Sequence, residues 1–242
     1  QDTVSRMRSI LSKRGSYLGE RIIEKMLALA GISSIVIIGL IFLFLFKEAV
    51  FFFKTASPFD LIGKWIDEIR PQSICDIGAN TGEFSLLACE KGIPVLSIDS
   101  DHDVIEANYT NVVKNHPNLL RLVVDITNPS ANFGWNNSER SSFLSRFHFD
   151  LLLVLGLIHH LVITHSIPLE KIALMLSQLG EAAIVEFVPE SDTNAKRLLD
   201  RKEGLINSYS LEFFEKTFHE YFTVVNKVSL ESSERVLFLV QK

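Results

Sequence analysis

Cysteine is scarce: Cys75 and Cys89 are the whole complement of a 242-residue chain. Neither stands in a CxxC pair or beside a His at metal-binding spacing, so neither a disulfide framework nor a structural zinc site is expected. Cys75 lies in an apolar run and Cys89 follows Ala88, so both read as small core residues in a reducing compartment. Positive charge is not in excess either. Lys and Arg total 24 against 29 Asp and Glu, for a net charge of −5 and a pI near 5.8. A nucleic-acid partner is not expected, because neutralising phosphates takes a basic face. No internal repeat and no low-complexity linker divides the chain. At 47% hydrophobic residues it has ample material for one α/β domain and an appendage.

Charge is missing altogether from one stretch. Residues 26–46 read MLALAGISSIVIIGLIFLFLF, 21 positions without an ionisable side chain. As a helix they extend about 32 Å, enough for a hydrocarbon core of about 30 Å. The run exceeds the apolar core of a cleaved signal peptide, and no small-residue cleavage site follows Phe46. Lys47-Glu48 and Phe51-Phe52-Phe53-Lys54 come next, as at a membrane exit. The expected organisation is a basic segment and membrane helix over 1–57 and a folded domain over 58–242.

Beyond Pro58, β-type runs alternate with helical ones, the pattern of a parallel sheet with crossover helices. Strands are expected at 73–77, 94–99, 119–125, 149–155 and 182–188, mostly as continuous apolar runs that helices cover on both faces. Helices are expected at 82–91, 101–115, 169–179, 190–203 and 210–220. The runs 221–230 and 235–241 are separated by Glu231-Ser232-Ser233-Glu234, too short for a crossover, so they should pair as an antiparallel hairpin. The fold class predicted is a Rossmann-like doubly wound α/β sheet with five parallel strands, a terminal hairpin and an N-terminal hydrophobic helix.

Four motifs stand at the carboxyl ends of those strands, where open α/β sheets bind ligands. The first is Asp76-Ile77-Gly78-Ala79-Asn80-Thr81-Gly82, between a strand and a helix. Its glycines fall at offsets 0 and 4 rather than 0, 2 and 5, which fits NAD poorly. The D-x-G-x-x-x-G form instead resembles motif I of enzymes that use S-adenosylmethionine (SAM). The second is Asp99, ending the next strand 17 residues after Gly82, where a carboxylate can accept from both ribose hydroxyls. Ser100 follows as the expected cap of the next helix, with Asp103 three residues on. The third is Asp125-Ile126, which resembles the place in the pattern of SAM-dependent enzymes where an acid reaches the adenine amino group and its apolar neighbour packs on the ring. The fourth is Leu155-Gly156-Leu157-Ile158-His159-His160, expected to face the transferred methyl. One of the two His is a candidate base for a hydroxyl or amine nucleophile. Alternatively neither acts as a base and transfer proceeds by positioning. The Asn/Asp-Pro-Pro-Tyr tetrapeptide typical of amino-methylating DNA enzymes is absent; separately, with no H-E-x-x-H pair or cysteine cluster, no metal is expected. Trp135 and Arg140, on a long loop over 128–148, and Glu190, after the fifth strand, are candidate acceptor contacts. Local structure explains them as well: hydrogen bonds within the loop, and helix capping by Ser191 and Asp192.

Together DIGANTGEFS, DITNPS, GWNNSER, LGLIHHLVI and EFVPESD resemble a bacterial group of class I SAM-dependent methyltransferases, some of them nodulation-type or cell-surface glycan-modifying proteins. The likeness runs from about Phe59 to the C-terminus. It implies SAM contacts at Asp76, Gly78, Asn80, Gly82, Asp99 and Asp125, and Ala79, Ser100, Ile126, Leu155 and Gly156 beside them in the motifs are expected to join the cofactor site. Glu190 and Asn207-Ser208-Tyr209-Ser210 depart from the group's pattern near the acceptor side. The resemblance does not settle the acceptor; the four motifs and the apolar run together lead to the expectation of a small molecule, glycolipid or polysaccharide precursor close to the membrane. Orientation is in tension. Six basic residues precede the apolar run against three acids, which would place the domain outside the cytosol. A SAM-using domain should face the cytoplasm, and that expectation is preferred here. The initial Gln suggests that residues precede it; earlier spans could set the topology, or the helix could lie in one leaflet. The rivals are a non-catalytic SAM-fold subunit scaffolding a membrane complex, with an obstructed cleft around Gly156, and an NAD-linked oxidoreductase.

Overall fold

The computed structural model describes residues 23–45, 47, 57–112, 116–199, 209–230 and 233–242. The chain divides into two compact units, Gln1–Thr55 and Ala56–Lys242. In the first, helix α1 (Ile23–Leu45) has 23 residues, and an 18-residue stretch of it has a mean hydropathy of 2.7. At about 1.5 Å per residue it extends about 35 Å, long and apolar enough to cross a membrane. Its two hydroxyls, Ser33 and Ser34, both donate to the Ala30 carbonyl at 2.9 Å, satisfying themselves inside the helix as an apolar surrounding requires. The basic stretch before it and the Phe cluster at 51–53 lie outside the described residues.

The second unit opens with a helix that the sequence reading leaves unassigned, α2 (Pro58–Ile69). Its signals are local. Ser57 accepts from the Phe59 amide, Pro58 occupies the first turn, and Ile62, Trp65 and Ile66 form one buried face. Seven strands follow: β1 (Ile74–Ile77), β2 (Val95–Asp99), β3 (Leu119–Val123), β4 (Phe149–Val154), β5 (Gly180–Phe187), β6 (Thr223–Ser229) and β7 (Val236–Gln241). They form one sheet in the order β3-β2-β1-β4-β5-β7-β6, parallel from β3 to β5, with β7 antiparallel to both β5 and β6. The expected five parallel strands and hairpin are all present, most with ends trimmed by one or two residues. Between strands lie α3 (Glu83–Glu90), α4 (His102–Val112), the short α5 (Phe143–Arg146), α6 (Leu169–Leu179), α7 (Thr193–Leu199) and α8 (Leu211–His219). The expected ends of α4 at 113–115 and of α7 at 200–203 lie outside the described residues.

Alternation along the central strands divides the core into two layers. Ile74, Val95, Leu151, Leu153 and Ile184 join Trp65 and Ala88 from α2 and α3. Cys75, Ile77, Leu96, Leu152, Val154 and Val185 join Ile172 and Leu176 of α6 and Phe214 and Phe218 of α8. Both cysteines are buried and free. Leu151 to Val154 are all buried, as expected of a strand with helices on both faces. The chain order reverses between β1 and β4, so the loops after these strands diverge and leave a crevice at their carboxyl ends.

Candidate functional site

At that crevice the structure holds a cavity of about 710 Å³, within the range of small-ligand sites. Asp76, Gly78, Ala79, Asn80, Asp99, Ser100, Asp125, Ile126, Leu155, Gly156 and His160 all line it. These come from four loops spread over 85 residues of sequence, and strand order is what brings them together.

The first loop is built on backbone geometry. Asn80 and Gly82 both adopt positive φ, 48° and 80°. A Cβ at Gly82 would stand 2.2 Å from the Asn108 amide nitrogen. Gly82 therefore does not line the cavity; it lets the loop turn tightly over Asn108. That amide is itself fixed, donating to Ser97 Oγ at 3.1 Å and accepting from Arg121 Nε at 2.9 Å. Asp76 sits beneath the loop, 2% exposed, with Ser85 Oγ donating to its Oδ2 at 2.6 Å. Burial pushes its carboxyl up to about 6, against the lowering effect of the Ser85 bonds.

Asp99 accepts from the Asn80 amide through Oδ2 and from the Asp101 amide through Oδ1, both at 3.0 Å. It thereby ties the β2 end to the first loop, and each oxygen retains a second acceptor direction. The cap of α4 is not Ser100, which stays exposed on the cavity wall. Asp101 caps instead, its Oδ1 accepting from the Asp103 amide at 2.9 Å. Asp125 accepts from the Thr127 hydroxyl at 2.6 Å and amide at 2.9 Å, and these bonds hold its carboxyl below the usual range.

After β4 the two histidines separate. His160 is on the cavity wall, whereas His159 is 3% exposed and lies behind it, ring centroids 4.2 Å apart. Burial lowers the His159 imidazole to about 4, and its Nδ1 has no hydrogen-bond partner. The structure thus gives His159 no path to a cavity ligand. Burial, then the nearby His165, also lowers His160 below its ordinary value, keeping it neutral near pH 7. Residues His160–Thr164 form a single π-helical turn, closed by the His165 amide donating to the His160 carbonyl at 3.2 Å. That geometry brings residues five apart onto one side, so His165 also lines the cavity. An α-helical reading of the sequence would have turned it away.

The expected acceptor contacts are placed otherwise. Trp135 is 82% exposed and, with Arg140, is absent from the cavity wall. The segment GWNNSE is a tight excursion closed by a bridge between Phe133 and Arg140, with positive φ at Gly134, Asn136 and Asn137. Glu190 is half-buried and off the wall. The acid that does reach the cavity is Glu186, four residues earlier on β5, 9% exposed. Its Oε1 pairs with Arg235 Nη1 at 3.3 Å, and Arg235 Nε donates to Asp192 at 2.9 Å. Asp192 is thus engaged by Arg235, and Ser191 donates to Glu234. Nearby, Tyr209 Oη donates to the Val188 carbonyl at 2.8 Å, and its ring stacks on Phe187.

The donor set suits SAM. Asp76, Glu83, Asp99, Asp101, Asp125 and Glu186 line the cavity and, among the described residues, no Lys or Arg does, a balance that favours a sulfonium cation. A Cβ on Gly156, φ +62°, would meet only Glu186 Oε2, at 3.6 Å, so the missing side chain is part of the open space. The cleft around Gly156 is not obstructed.

No family model matches the chain. It is 34% identical over 182 residues to nodulation protein NoeA of Rhizobium meliloti strain 1021, across 75% of this chain and 38% of that protein. It therefore spans well under half the length of this curated relative. Among solved structures it resembles the bifunctional kinase-methyltransferase WbdD, with TM-score 0.54, 18% identity, 76% of this chain and 38% of that one. It also resembles magnesium protoporphyrin IX methyltransferase of Synechocystis PCC 6803, solved with bound SAH, the demethylated product of SAM, with TM-score 0.53, 16% identity, 76% of this chain and 81% of that one. A third is an O-methyltransferase of Nostoc punctiforme PCC 73102, with TM-score 0.55, 19% identity, 76% of this chain and 56% of that one. In strand order and terminal hairpin, the unit Ala56–Lys242 has the fold of class I SAM-dependent methyltransferases.

Proposed function

We propose that this domain binds SAM and transfers its methyl group to an oxygen or nitrogen of a small-molecule, glycolipid or polysaccharide-precursor acceptor near a membrane, from the cytoplasmic side. The observation that carries the reading is the cavity at the β1/β4 reversal, lined by Asp99, Asp125 and Gly156. When bound, SAM would supply an electrophilic sulfonium methyl, whose carbon bonds in line to a lone pair of the acceptor as its bond to sulfur breaks and SAH leaves with that electron pair. Asp99 offers two further acceptor directions to ribose hydroxyls, and Asp125 with Ile126 suits the adenine edge and face. His160, neutral near pH 7, takes the proton that the acceptor's hydroxyl or amine loses as its new bond to carbon forms. The relative named a nodulation protein and the neighbours named methyltransferases support this reading, and α1 supports a membrane setting.

Calorimetry with SAM and SAH tests the cofactor half, with micromolar binding expected and no binding overturning it. Incubating the protein with methyl-tritiated SAM and a detergent extract of cell membranes tests transfer. Label should enter the lipid and glycan fraction; binding without transfer would leave a scaffold.

A further inference from the structure

We infer that Glu186 orients the acceptor by taking a hydrogen bond from its attacking hydroxyl or amine, and that Arg235 is the positioning residue that aims it. The inference rests on the methyl-transfer reading above and names the group on which the acceptor half of the cavity turns. Glu186 is a charged side chain at the end of a central strand, a place where burial is costly unless the charge is used or paired. Its pairing is one-sided. Oε1 takes Arg235, while Oε2 is the atom nearest the open position over Gly156, at 3.6 Å from where a Cβ would stand. No Lys or Arg among the described residues reaches the carboxylate from the cavity side, so the complement it presents is to an O–H or N–H donor.

Arg235 comes from the far end of the chain, immediately before β7, and is clamped by Asp192 through Nε. Burial pulls its guanidinium down, but the Asp192 and Glu186 bonds more than offset this and keep it charged. A fixed cation behind the acid sets the direction of the free oxygen without entering the cavity. The unpartnered Nδ1 of His159 lies in the field of the same Arg235 and Asp192. A purely structural ion pair joining β5 to the hairpin would need neither the cavity exposure of Glu186 nor an open Gly156 opposite it.

The test uses the full chain, the membrane extract as acceptor pool and methyl-tritiated SAM, with SAH affinity and melting temperature measured in parallel. Glu186→Gln should reduce labelling at limiting extract by about 50-fold or more, while SAH affinity stays within twofold. Glu186→Asp, which keeps the charge but withdraws it by one methylene, should lose about tenfold and show a higher apparent KM for extract. Arg235→Met should lose about tenfold, and Arg235→Lys should recover part of that. Labelling by Glu186→Gln at the wild-type level would overturn the proposal alone. So would SAH affinity that falls in step with labelling, which would move Glu186 to the cofactor. A wild-type protein that binds SAH yet labels nothing overturns the enzymatic reading, and this proposal with it.

Discussion

The carboxyl ends of β1 to β3 and those of β4 and β5 line one cavity, yet they are made differently. The first side is assembled from short-range contacts: Asn80 on Asp99, Asp101 on Asp99, Thr127 on Asp125, Ser85 on Asp76. Each carboxylate there is already held by a hydroxyl or amide within about twenty residues of it. The second side is assembled from distant parts of the chain. Glu186 depends on Arg235, 49 residues away, and His165 enters through a π-helical turn. A nucleoside common to many enzymes calls for a pre-formed, locally specified cradle; an acceptor particular to one enzyme can be met by contacts that vary with tertiary arrangement.

Substitutions should separate the two sides, and the largest effect should come from the first. Gly82→Ala forces a Cβ to 2.2 Å from the Asn108 amide at φ +80°. Left-handed strain and a broken buried network should cost roughly 2–5 kcal/mol of stability and abolish measurable SAH binding. Chemical denaturation and calorimetry would check it, and wild-type SAH affinity would remove the loop from the site. Next is His160→Ala. Loss of a base should lower labelling on the order of 10²–10⁴-fold with little change in SAH affinity. The wild-type rate should fall as pH drops through a midpoint below that of free imidazole, since burial lowers His160, and the variant should lose that dependence. A flat wild-type profile would leave positioning alone.

Asp99→Ala should weaken SAH binding by roughly 10- to 100-fold, the scale of lost bonds to a charged group at about 1.5–3 kcal/mol. The smaller fourth effect is on stability. Asp76 titrates near 6 in the folded protein against 3.8 unfolded, so its contribution is intact below about pH 3.8 and is lost as pH rises through 6. By pH 7 the ionised buried carboxylate costs roughly 3 kcal/mol. Asp76→Asn should therefore melt progressively higher relative to wild type between pH 4 and pH 7, and a constant difference across that range would contradict the burial argument. Trp135→Ala should do least, leaving SAH affinity within twofold because the ring is 82% exposed and off the wall. A drop in labelling alone would make that loop a lid for the acceptor.

The sheet was legible because strands covered on both faces announce themselves as apolar runs, and Leu151 to Val154 or Ala182 to Val185 are buried as such runs require. α2 carried equally plain signals in Ser57, Pro58 and its Ile62/Trp65/Ile66 face, and a reading centred on the glycine loop passed over them. Glu190 lies past the end of β5 and off the cavity wall, whereas Glu186, on the strand itself, reaches the wall through the position of β5 beside β4. Ser100 was displaced as a cap by Asp101, whose carboxylate accepts from the first helical amides.

What the sequence alone determined is whatever depends on neighbours along the chain: the apolar stretch within α1, the strand and helix periods, the glycine loop, and the acids that end β2 and follow β3. Spacing of a few residues sets those, because backbone geometry propagates over that distance. Which of two adjacent histidines meets the cavity, that His165 joins it, and that Arg235 stands behind Glu186 were decided only by the tertiary structure. These depend on strand order and on one π-helical turn, and packing between distant segments selects both.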